Sequence, residues 1–316
     1  MLANFPVEII LLICQYPELK DLGQLAWTSN RMMQIIKRYL PKALERKTLF
    51  YMPYKNGKIV ERRICLFDSH SNSVEQIAKF TNDYEPWEVA TTKDKIFALS
   101  SKEKSFEIFD LNTRQITKGG PDLPEWRQCA SVAYFKDKLY YLGGWDPKTW
   151  NDMNRILIDG KWETGPGFPF PINEAQTIAC NGILYVIDGG NSRKIYRLSD
   201  DEREWIEIGE IPERLVFFGV ASLNGKIYIT GGWSIIGGHT LKSCLCFDPS
   251  ARVYGRISRI ADMNYTRYRH SLIVVNEKLY AIGETIEWIY EWILCREIEE
   301  YDPQTNEWRE VGELYI

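Results

Sequence analysis

The chain has 316 residues, of which 45% are hydrophobic and 13% aromatic, and its formal net charge is −4 at pH 7. This composition can fill a packed interior, while the slightly acidic balance argues against nucleic-acid binding, because no basic stripe is present to displace phosphate counterions. No apolar run approaches the roughly 20 residues needed to cross a bilayer, so we expect no membrane span.

Residues 1–40 carry a helical pattern that the remainder of the chain lacks. Pro6 suits the first turn of a helix, and the apolar run Ile9–Ile13 follows it. Asp21 precedes a second apolar group, and Ser29 can cap a third helix whose apolar residues follow the 3.6-residue period. Three short helices cannot bury a helix that is apolar on every side, so we expect this segment to need a second surface to pack against.

A strand of constant form then recurs five times along the chain. The copies are Lys95-Ile96-Phe97, Lys138-Leu139-Tyr140, Ile183-Leu184-Tyr185, Lys226-Ile227-Tyr228 and Lys278-Leu279-Tyr280. The aliphatic residues of successive copies are 43, 45, 43 and 52 residues apart. Self-similarity at such a period is typical of a propeller or a solenoid.

Three further features accompany the recurring strand. A glycine pair follows it at Gly143-Gly144, Gly189-Gly190 and Gly231-Gly232. An aromatic-Asp pair recurs at Phe67-Asp68, Phe109-Asp110, Phe247-Asp248 and Tyr301-Asp302. Tryptophans follow the Asp position at Trp162, Trp205 and Trp308, where we expect them to pack between the units. Glycine permits close backbone approach and Asp closes turns, so each unit is predicted to be a set of short strands joined by tight turns.

Enzyme chemistry finds little support in the sequence. The chain has three histidines, His70, His239 and His270, and none has a ligand spacing to another His or Cys. Cys244 and Cys246 are interpreted as packing residues of one strand, and His270 as a structural hydrogen-bonding residue. The glycine pairs lack the Lys-Ser/Thr that follows in a phosphate loop. We therefore expect no catalytic residue, no metal site and no cofactor.

The cysteines indicate a reducing compartment. The chain has seven, an odd number, and they are scattered through apolar settings such as those of Cys129, Cys180 and Cys246. Glu8 interrupts the N-terminal apolar run and no Lys or Arg precedes it, which argues against a secretory signal. We expect a cytoplasmic or nuclear protein.

The repeat resembles a kelch repeat over roughly residues 47–314. The resemblance rests on the ordered set Arg267-Tyr268-Arg269-His270-Ser271, Lys278 to Gly283, Tyr301-Asp302-Pro303 and Trp308. It implies a mainly β fold, a β-propeller in which each repeat supplies one four-stranded blade. We predict six blades over residues 47–316. The first copy, from Leu49 to Lys79, is degenerate and lacks an obvious innermost strand.

Residues 1–42 resemble an F-box, a small all-α segment of three helices. The resemblance rests on Phe5 to Ile9, Ile13, Leu19, Asp21-Leu22, Leu25-Ala26 and Thr28 to Arg31. The chain departs from the pattern at Met32, where many F-boxes have Trp. The resemblance implies docking on a Skp-type adaptor of a cullin-RING ubiquitin ligase. The predicted adaptor-binding residues are Phe5, Pro6, Ile9, Ile13 and Leu22.

The loops of a propeller are the expected site for a target protein. The loops that lead to the recurring strands and the loops that follow the glycine pairs are rich in Arg, Trp and Tyr. These residue types dominate interface energetics. The predicted target-binding residues are Arg127, Trp145, Arg193, Trp233, Arg267, Tyr268, Trp288 and Trp292. Arg127 and Arg267 are the favoured readers of acidic or phosphorylated groups, because a guanidinium can hold a carboxylate or phosphate with two bonds. The insertion Glu284 to Glu297 is either a partner-binding patch or a lid over the channel.

The sequence thus favours a non-catalytic target-recognition subunit of a cullin-RING ligase, with the Skp-type adaptor, the ligase and a target protein as partners. One alternative is a kelch scaffold in which residues 1–40 only cover the propeller. A second is an enzyme with a metal or a small molecule at the channel mouth.

Overall fold

The structure is a computed structural model that describes residues 47–56, 59–80, 87–100, 105–122, 127, 129–144, 154–251, 256–284 and 295–315. The predicted F-box helices and the insertion residues 285–294 lie outside the described residues. Every regular element within the described ranges is a β-strand, which confirms the mainly β prediction. None of these residues belongs to a helix that could span a membrane.

Six sheets follow one another along the described chain, each an antiparallel meander in sequence order. The first has three strands, β1 (Lys47–Asn56), β2 (Ile59–Asp68) and β3 (Ser73–Lys79). The second is β4 (Trp87–Thr91), β5 (Lys95–Ser100), β6 (Ser105–Asp110) and β7 (Gln115–Lys118). The third is β8 (Ser131–Phe135), β9 (Lys138–Leu142), β10 (Arg155–Ile158) and β11 (Lys161–Thr164).

The other three sheets have four strands each. The fourth is β12 (Gln176–Cys180), β13 (Ile183–Ile187), β14 (Lys194–Leu198) and β15 (Trp205–Glu210). The fifth is β17 (Gly219–Leu223), β18 (Lys226–Thr230), β21 (Cys244–Asp248) and β22 (Arg256–Ile260). The sixth is β23 (Ser271–Val275), β24 (Lys278–Ile282), β25 (Glu297–Asp302) and β26 (Glu307–Glu313). Three two-residue strands, β16 (Leu215–Val216), β19 (Trp233–Ser234) and β20 (His239–Thr240), form a small additional sheet beside the fifth.

The first strands of the six sheets contact one another in chain order, and β23 returns to contact β1. Two side-chain hydrogen bonds join the ends of the ring: Ser271 Oγ donates to the Tyr51 carbonyl (2.6 Å) and Thr48 Oγ1 to the Val274 carbonyl (3.4 Å). Together these strands enclose a central channel of about 980 Å³. The first and last sheets are therefore in direct contact.

Aspartates close the turns after the third strands, as the sequence predicted. Asp110 Oδ1 accepts the Asn112 N–H at 2.8 Å, and Asp302 Oδ1 accepts the Gln304 N–H at 2.8 Å. Asp248 Oδ1 accepts both the hydroxyl (2.6 Å) and the N–H (2.9 Å) of Ser250. These bonds stabilise the ionised carboxylate, so the pKa values of Asp110, Asp248 and Asp302 lie below the ordinary value.

The hydrophobic core lies between neighbouring sheets. Trp205 packs with residues of the third and fourth sheets, and Trp308 with residues of the fifth and sixth. Their indole N–H groups donate to carbonyls of the inter-sheet links, Trp205 to Pro166 (3.2 Å) and Trp308 to Ala261 (3.0 Å). Trp162 is half-buried and packs against the core between the second and third sheets. The prediction that these tryptophans pack between units is confirmed.

Candidate binding surface at the channel mouth

The links between sheets and the loops after the second strands emerge on one face of the ring, since neighbouring strands run in opposite directions. We call this the link face. The turns after the first and third strands lie on the opposite face. The channel opens on the link face among the residues that immediately precede the first strands. We call this opening the channel mouth.

Four residues at the mouth occupy equivalent positions, each two residues before a first strand. They are Cys129, Glu174, Phe217 and Arg269, with φ angles of 57°, 53°, 57° and 55°. We call them the mouth ring. A left-handed backbone is uncommon for residues other than glycine and costs free energy, above all at a bulky residue such as Phe217. Strain repeated at one position in four sheets directs attention to this position as a functional one.

Contacts between units hold the mouth ring in place. The Glu174 N–H donates to the Cys129 carbonyl at 3.1 Å, and the Arg269 N–H donates to the Phe217 carbonyl at 2.7 Å. The Arg269 guanidinium lies 4.4 Å from the centroid of the Phe217 ring and 5.6 Å from that of Tyr268. Cation–π contacts of this kind fix the position of a charge at a protein surface.

The mouth ring places a thiol, a carboxylate, an aromatic ring and a guanidinium around one opening. Burial raises the pKa of Glu174, while a hydrogen bond from the Cys129 thiol and the positive charge of Arg269 act in the opposite direction. The mouth ring therefore offers one acidic and one basic side chain, those of Glu174 and Arg269. Such an arrangement can select a ligand by both shape and charge.

We expect Glu174→Gln to stabilise the protein at neutral pH. The folded-state pKa of Glu174 is raised above the ordinary 4.5, so ionisation costs more in the folded than in the unfolded state. The contribution of Glu174 to the free energy of unfolding is therefore fully present at low pH, and it is lost as the pH rises through the folded-state pKa. Urea midpoints at pH 4 and pH 7 should show a gain for Glu174→Gln at pH 7 that shrinks at pH 4. An equal gain at both pH values would contradict this.

Two of the predicted target-binding residues, Arg127 and Arg267, lie in the interior. Arg127 is 1% exposed and Arg267 is 0% exposed. Their Nη1 groups make the same bond at 3.0 Å, Arg127 to the Gly143 carbonyl and Arg267 to the Gly283 carbonyl. Arg267 also forms an ion pair of 3.0 Å with Glu299, which is itself 0% exposed. This burial corrects the prediction that these arginines read a target's acidic groups, since neither presents a guanidinium surface.

Tyr268 is 7% exposed and packs edge-on against Phe217, so its assignment as a direct target contact is corrected for the same reason. Arg193 and Trp233 do lie on the link face, after the second strands of the fourth and fifth sheets. Arg193 is partly exposed, pairs with Glu210 and donates to the Pro212 carbonyl at 2.9 Å. Trp233 is half-buried in β19. The predicted residues Trp145, Trp288 and Trp292 lie outside the described residues, as do Phe5, Pro6, Ile9, Ile13 and Leu22.

The structure also clarifies the residues weighed for metal or acid–base chemistry. His270 Nε2 lies 2.8 Å from Thr230 Oγ1, and burial lowers the pKa of this histidine to about 3. This confirms its interpretation as a structural residue. Cys244 and Cys246 are both buried in the core between the fifth and sixth sheets, as predicted. In the described part of the chain, no group of three or more His, Cys, Asp or Glu residues could hold a metal ion.

Sequence reasoning missed the mouth ring by two residues. The predicted residues Arg127 and Arg267 stand twelve residues before the recurring aliphatic residue. At the same position in the other sheets, Ile172 and Leu215 are buried as well. The mouth ring stands ten residues before the aliphatic residue, and its identities differ from sheet to sheet. The available signal was the constant offset, because the residue types vary at the interior position as well as at the mouth ring.

Comparisons with known proteins support a kelch-repeat protein. The kelch motif matches residues 214–253 and 266–314, which cover most of the fifth and sixth sheets. The chain is 24% identical to Kelch-like protein 35 of Mus musculus over 231 residues, or 71% of this chain and 39% of that protein. It is 28% identical to the F-box/kelch-repeat protein At4g39240 of Arabidopsis thaliana over 151 residues, or 45% of this chain and 36% of that protein. The match thus spans less than half the length of either relative.

Solved structures show the same fold. The structure of YjhT superposes with a TM-score of 0.60 at 14% identity, covering 73% of this chain and 84% of that one. A fungal alcohol oxidase in complex with copper superposes with a TM-score of 0.58 at 13% identity, covering 85% of this chain and 63% of that one. At such identities the likeness concerns the fold alone.

Proposed function

We propose that this kelch-repeat protein is the target-recognition subunit of a cullin-RING ubiquitin ligase. Residues 1–42 would dock on a Skp-type adaptor as an F-box, and a six-bladed propeller would bind a target protein on its link face. The observation that carries the proposal is the F-box-like order of residues Phe5 to Arg31 directly ahead of a kelch ring. The similarity to an F-box/kelch-repeat protein of Arabidopsis thaliana supports the pairing.

In this role the chain performs no chemistry itself. It contributes proximity and orientation to a reaction carried out by other subunits, without a cofactor. The mouth ring, with Arg193 and Trp233 nearby on the link face, supplies charged and aromatic side chains suited to protein recognition. We further propose a cytoplasmic or nuclear location, supported by the six free cysteines of the described residues.

Co-purification with a Skp-type adaptor tests the proposal. The intact chain should retain the adaptor, and the double variant Pro6→Ala with Ile9→Ala should lose it at least tenfold, since both residues belong to the predicted contact surface. Gln34→Ala, at a polar position of the same segment, is the matched control and should retain the adaptor. The kelch scaffold alternative predicts no adaptor with any of the three proteins.

Target binding is read in the same purification. Arg269→Ala removes the guanidinium of the mouth ring and should deplete specific co-purified proteins while the adaptor remains. Arg203→Ala is the control, because Arg203 is exposed in a turn of the opposite face. If both variants recover the same proteins as the unchanged chain, the mouth ring is not the target site, and the adaptor proposal stands or falls separately.

A further inference from the structure

Three large apolar side chains are exposed on the link face, away from the mouth ring. Phe170 is 61% exposed, Ile235 38% and Ile236 81%. Phe170 belongs to the link between the third and fourth sheets, and the two isoleucines belong to the hairpin between β19 and β20. Single exposed apolar residues are ordinary on a protein surface, so their meaning depends on what holds them and on what lies between them.

Hydrogen bonds fix the β19–β20 hairpin. The Gly238 N–H donates to the Ser234 carbonyl at 2.8 Å, and the Gly237 N–H donates to the Ser234 hydroxyl at 3.0 Å. The Ile235 N–H donates to the Arg214 carbonyl at 3.0 Å, which ties the hairpin to the link ahead of the fifth sheet. Because the hairpin is already ordered, its two isoleucines can bind a partner with little further loss of conformational entropy.

Phe170 is exposed on a segment that is also restricted. It stands between Pro169 and Pro171, whose rings fix their own φ angles and limit the backbone of the residue before each of them. Phe168 of the same link turns inward and stacks on Trp205, with ring centroids 4.6 Å apart. The link therefore buries one phenylalanine and presents the other to solvent.

Arg214 lies between Phe170 and the hairpin. Its Nε donates to the Gly190 carbonyl at 2.8 Å, and its Nη2 donates to the same oxygen. The side-chain amide of Asn191 donates to the Pro171 carbonyl at 3.2 Å, one residue after Phe170. Direct contacts thus lead from the Phe170 link to the loop after β13, from this loop to Arg214, and from Arg214 to the hairpin.

The charge of Arg214 is not compensated by a neighbouring carboxylate. In the part of the chain that the structure describes, its guanidinium forms no ion pair, whereas Arg193 nearby pairs with Glu210. The carboxylate of Glu213 is directed to the hairpin instead, where it accepts the Ser234 hydroxyl at 3.1 Å. A half-buried guanidinium that bonds to a neutral carbonyl can bind a carboxylate more strongly, because that bond is charge-assisted on both sides.

We propose that Phe170, Arg214, Ile235 and Ile236, which we call the link-face patch, bind a segment of the target protein in which an acidic residue lies between apolar residues. The carboxylate pairs with Arg214, and the flanking apolar side chains pack on Phe170 and on the hairpin. Because a cation lies between the apolar side chains, the fitting segment is acidic and apolar rather than purely apolar. The inference rests on the proposed target binding and names the class of segment bound.

Binding of the full chain to an array of immobilised nonapeptides tests this inference. Each peptide has a leucine or a phenylalanine on both sides of a central Asp, Asn or Lys, and its other positions are varied. We expect the Asp-centred peptides to retain the chain about tenfold more strongly than the Asn-centred or Lys-centred ones. Equal retention by the three series, or no retention by the Asp series, would overturn the inference. No adaptor is present, so a failure here is distinct from a failure of adaptor docking.

Charge reversal is the sharpest control in the same array. Arg214→Glu should lose the Asp-centred peptides and prefer the Lys-centred ones, whereas Arg203→Glu, in a turn of the opposite face, should keep the preference for Asp. A preference for Asp that survives Arg214→Glu would place the site elsewhere and contradict the inference.

Ile236→Ser provides a second reading that does not depend on the folding of the Arg214 variant, since Ile236 is 81% exposed. It should weaken retention by the Asp series about tenfold and leave the ratio between the three series unchanged, because it removes apolar contact and no charge. Unchanged retention would show that the hairpin is not part of the site.

Discussion

Replacing Arg267 with methionine is expected to destabilise the propeller by about 3–5 kcal/mol, because it leaves the buried carboxylate of Glu299 without its ion-pair partner. The guanidinium also donates to the carbonyls of Gly283 and Glu297, at 3.0 and 2.6 Å, which join the two ends of the loop between β24 and β25. The free energy of unfolding from urea denaturation is the measurement. Arg193→Met, at a partly exposed ion pair of the link face, should cost less than about 1 kcal/mol.

The double variant Arg267→Met with Glu299→Met distinguishes an uncompensated charge from lost packing. If the unpaired carboxylate dominates the cost, the double variant should be more stable than Arg267→Met alone. Recovery should be incomplete, because Glu299 also accepts the Asn264 N–H at 2.6 Å. A double variant less stable than the single one would show that the bonds to backbone carbonyls, rather than the ion pair, give Arg267 its role.

The sequence predicted the strands well because their signals are local. Asp closes a turn through amides two residues away, and the recurring Lys-aliphatic-aromatic triplet reports a buried second strand directly. In the second and sixth sheets, a Lys at the start of the second strand also pairs with the Asp that ends the third strand, which is a further local signal. What no local signal could supply was the contact between β23 and β1, whose bonding residues are more than 200 positions apart.

The candidate binding surface was harder to predict than the fold because only two residues separate a fully buried arginine from a partly exposed one. Arg267 and Arg269 are the same residue type in the same link, so the sequence does not distinguish them. In the structure, the Arg267 guanidinium donates to a backbone carbonyl in the interior, whereas that of Arg269 stacks on Phe217 at the mouth. Which of them faces outward depends on the left-handed turn at Arg269, with φ of 55°. A residue other than glycine in that conformation carries no mark in the sequence.

Arg267 stabilises the interior, whereas Arg269 is the arginine that we propose for recognition. The interior position is occupied by a buried arginine in the third and sixth sheets and by Ile172 and Leu215 in the fourth and fifth. At this position, different buried side chains fill the interior in different sheets. If the mouth ring binds a target as proposed, variation there changes what the opening can bind. We then expect substitutions at the interior position to affect unfolding and substitutions at the mouth ring to affect target capture.

Gly189→Ala is expected to destabilise the protein by about 3 kcal/mol, at the upper end of the usual cost of overpacking. A Cβ at this position would overlap the Leu215 carbonyl oxygen and stand 2.8 Å from Cε1 of Phe218. Leu215 belongs to the link into the fifth sheet and its carbonyl is backbone, so the clash cannot be relieved by rotating a side chain. Because Gly189 has no Cβ, the link into the fifth sheet can pass close to the end of the second strand of the fourth sheet.

Gly167→Ala is the matched control, since a Cβ there would meet no atom within 4 Å. It should leave the urea midpoint unchanged or raise it slightly, because alanine restricts the unfolded chain more than glycine does. The comparison separates close approach from the general effect of adding a methyl group. Similar midpoints for the two variants would mean that the link between the fourth and fifth sheets can shift to accommodate a side chain, and the packing account of the glycine pair would then be wrong.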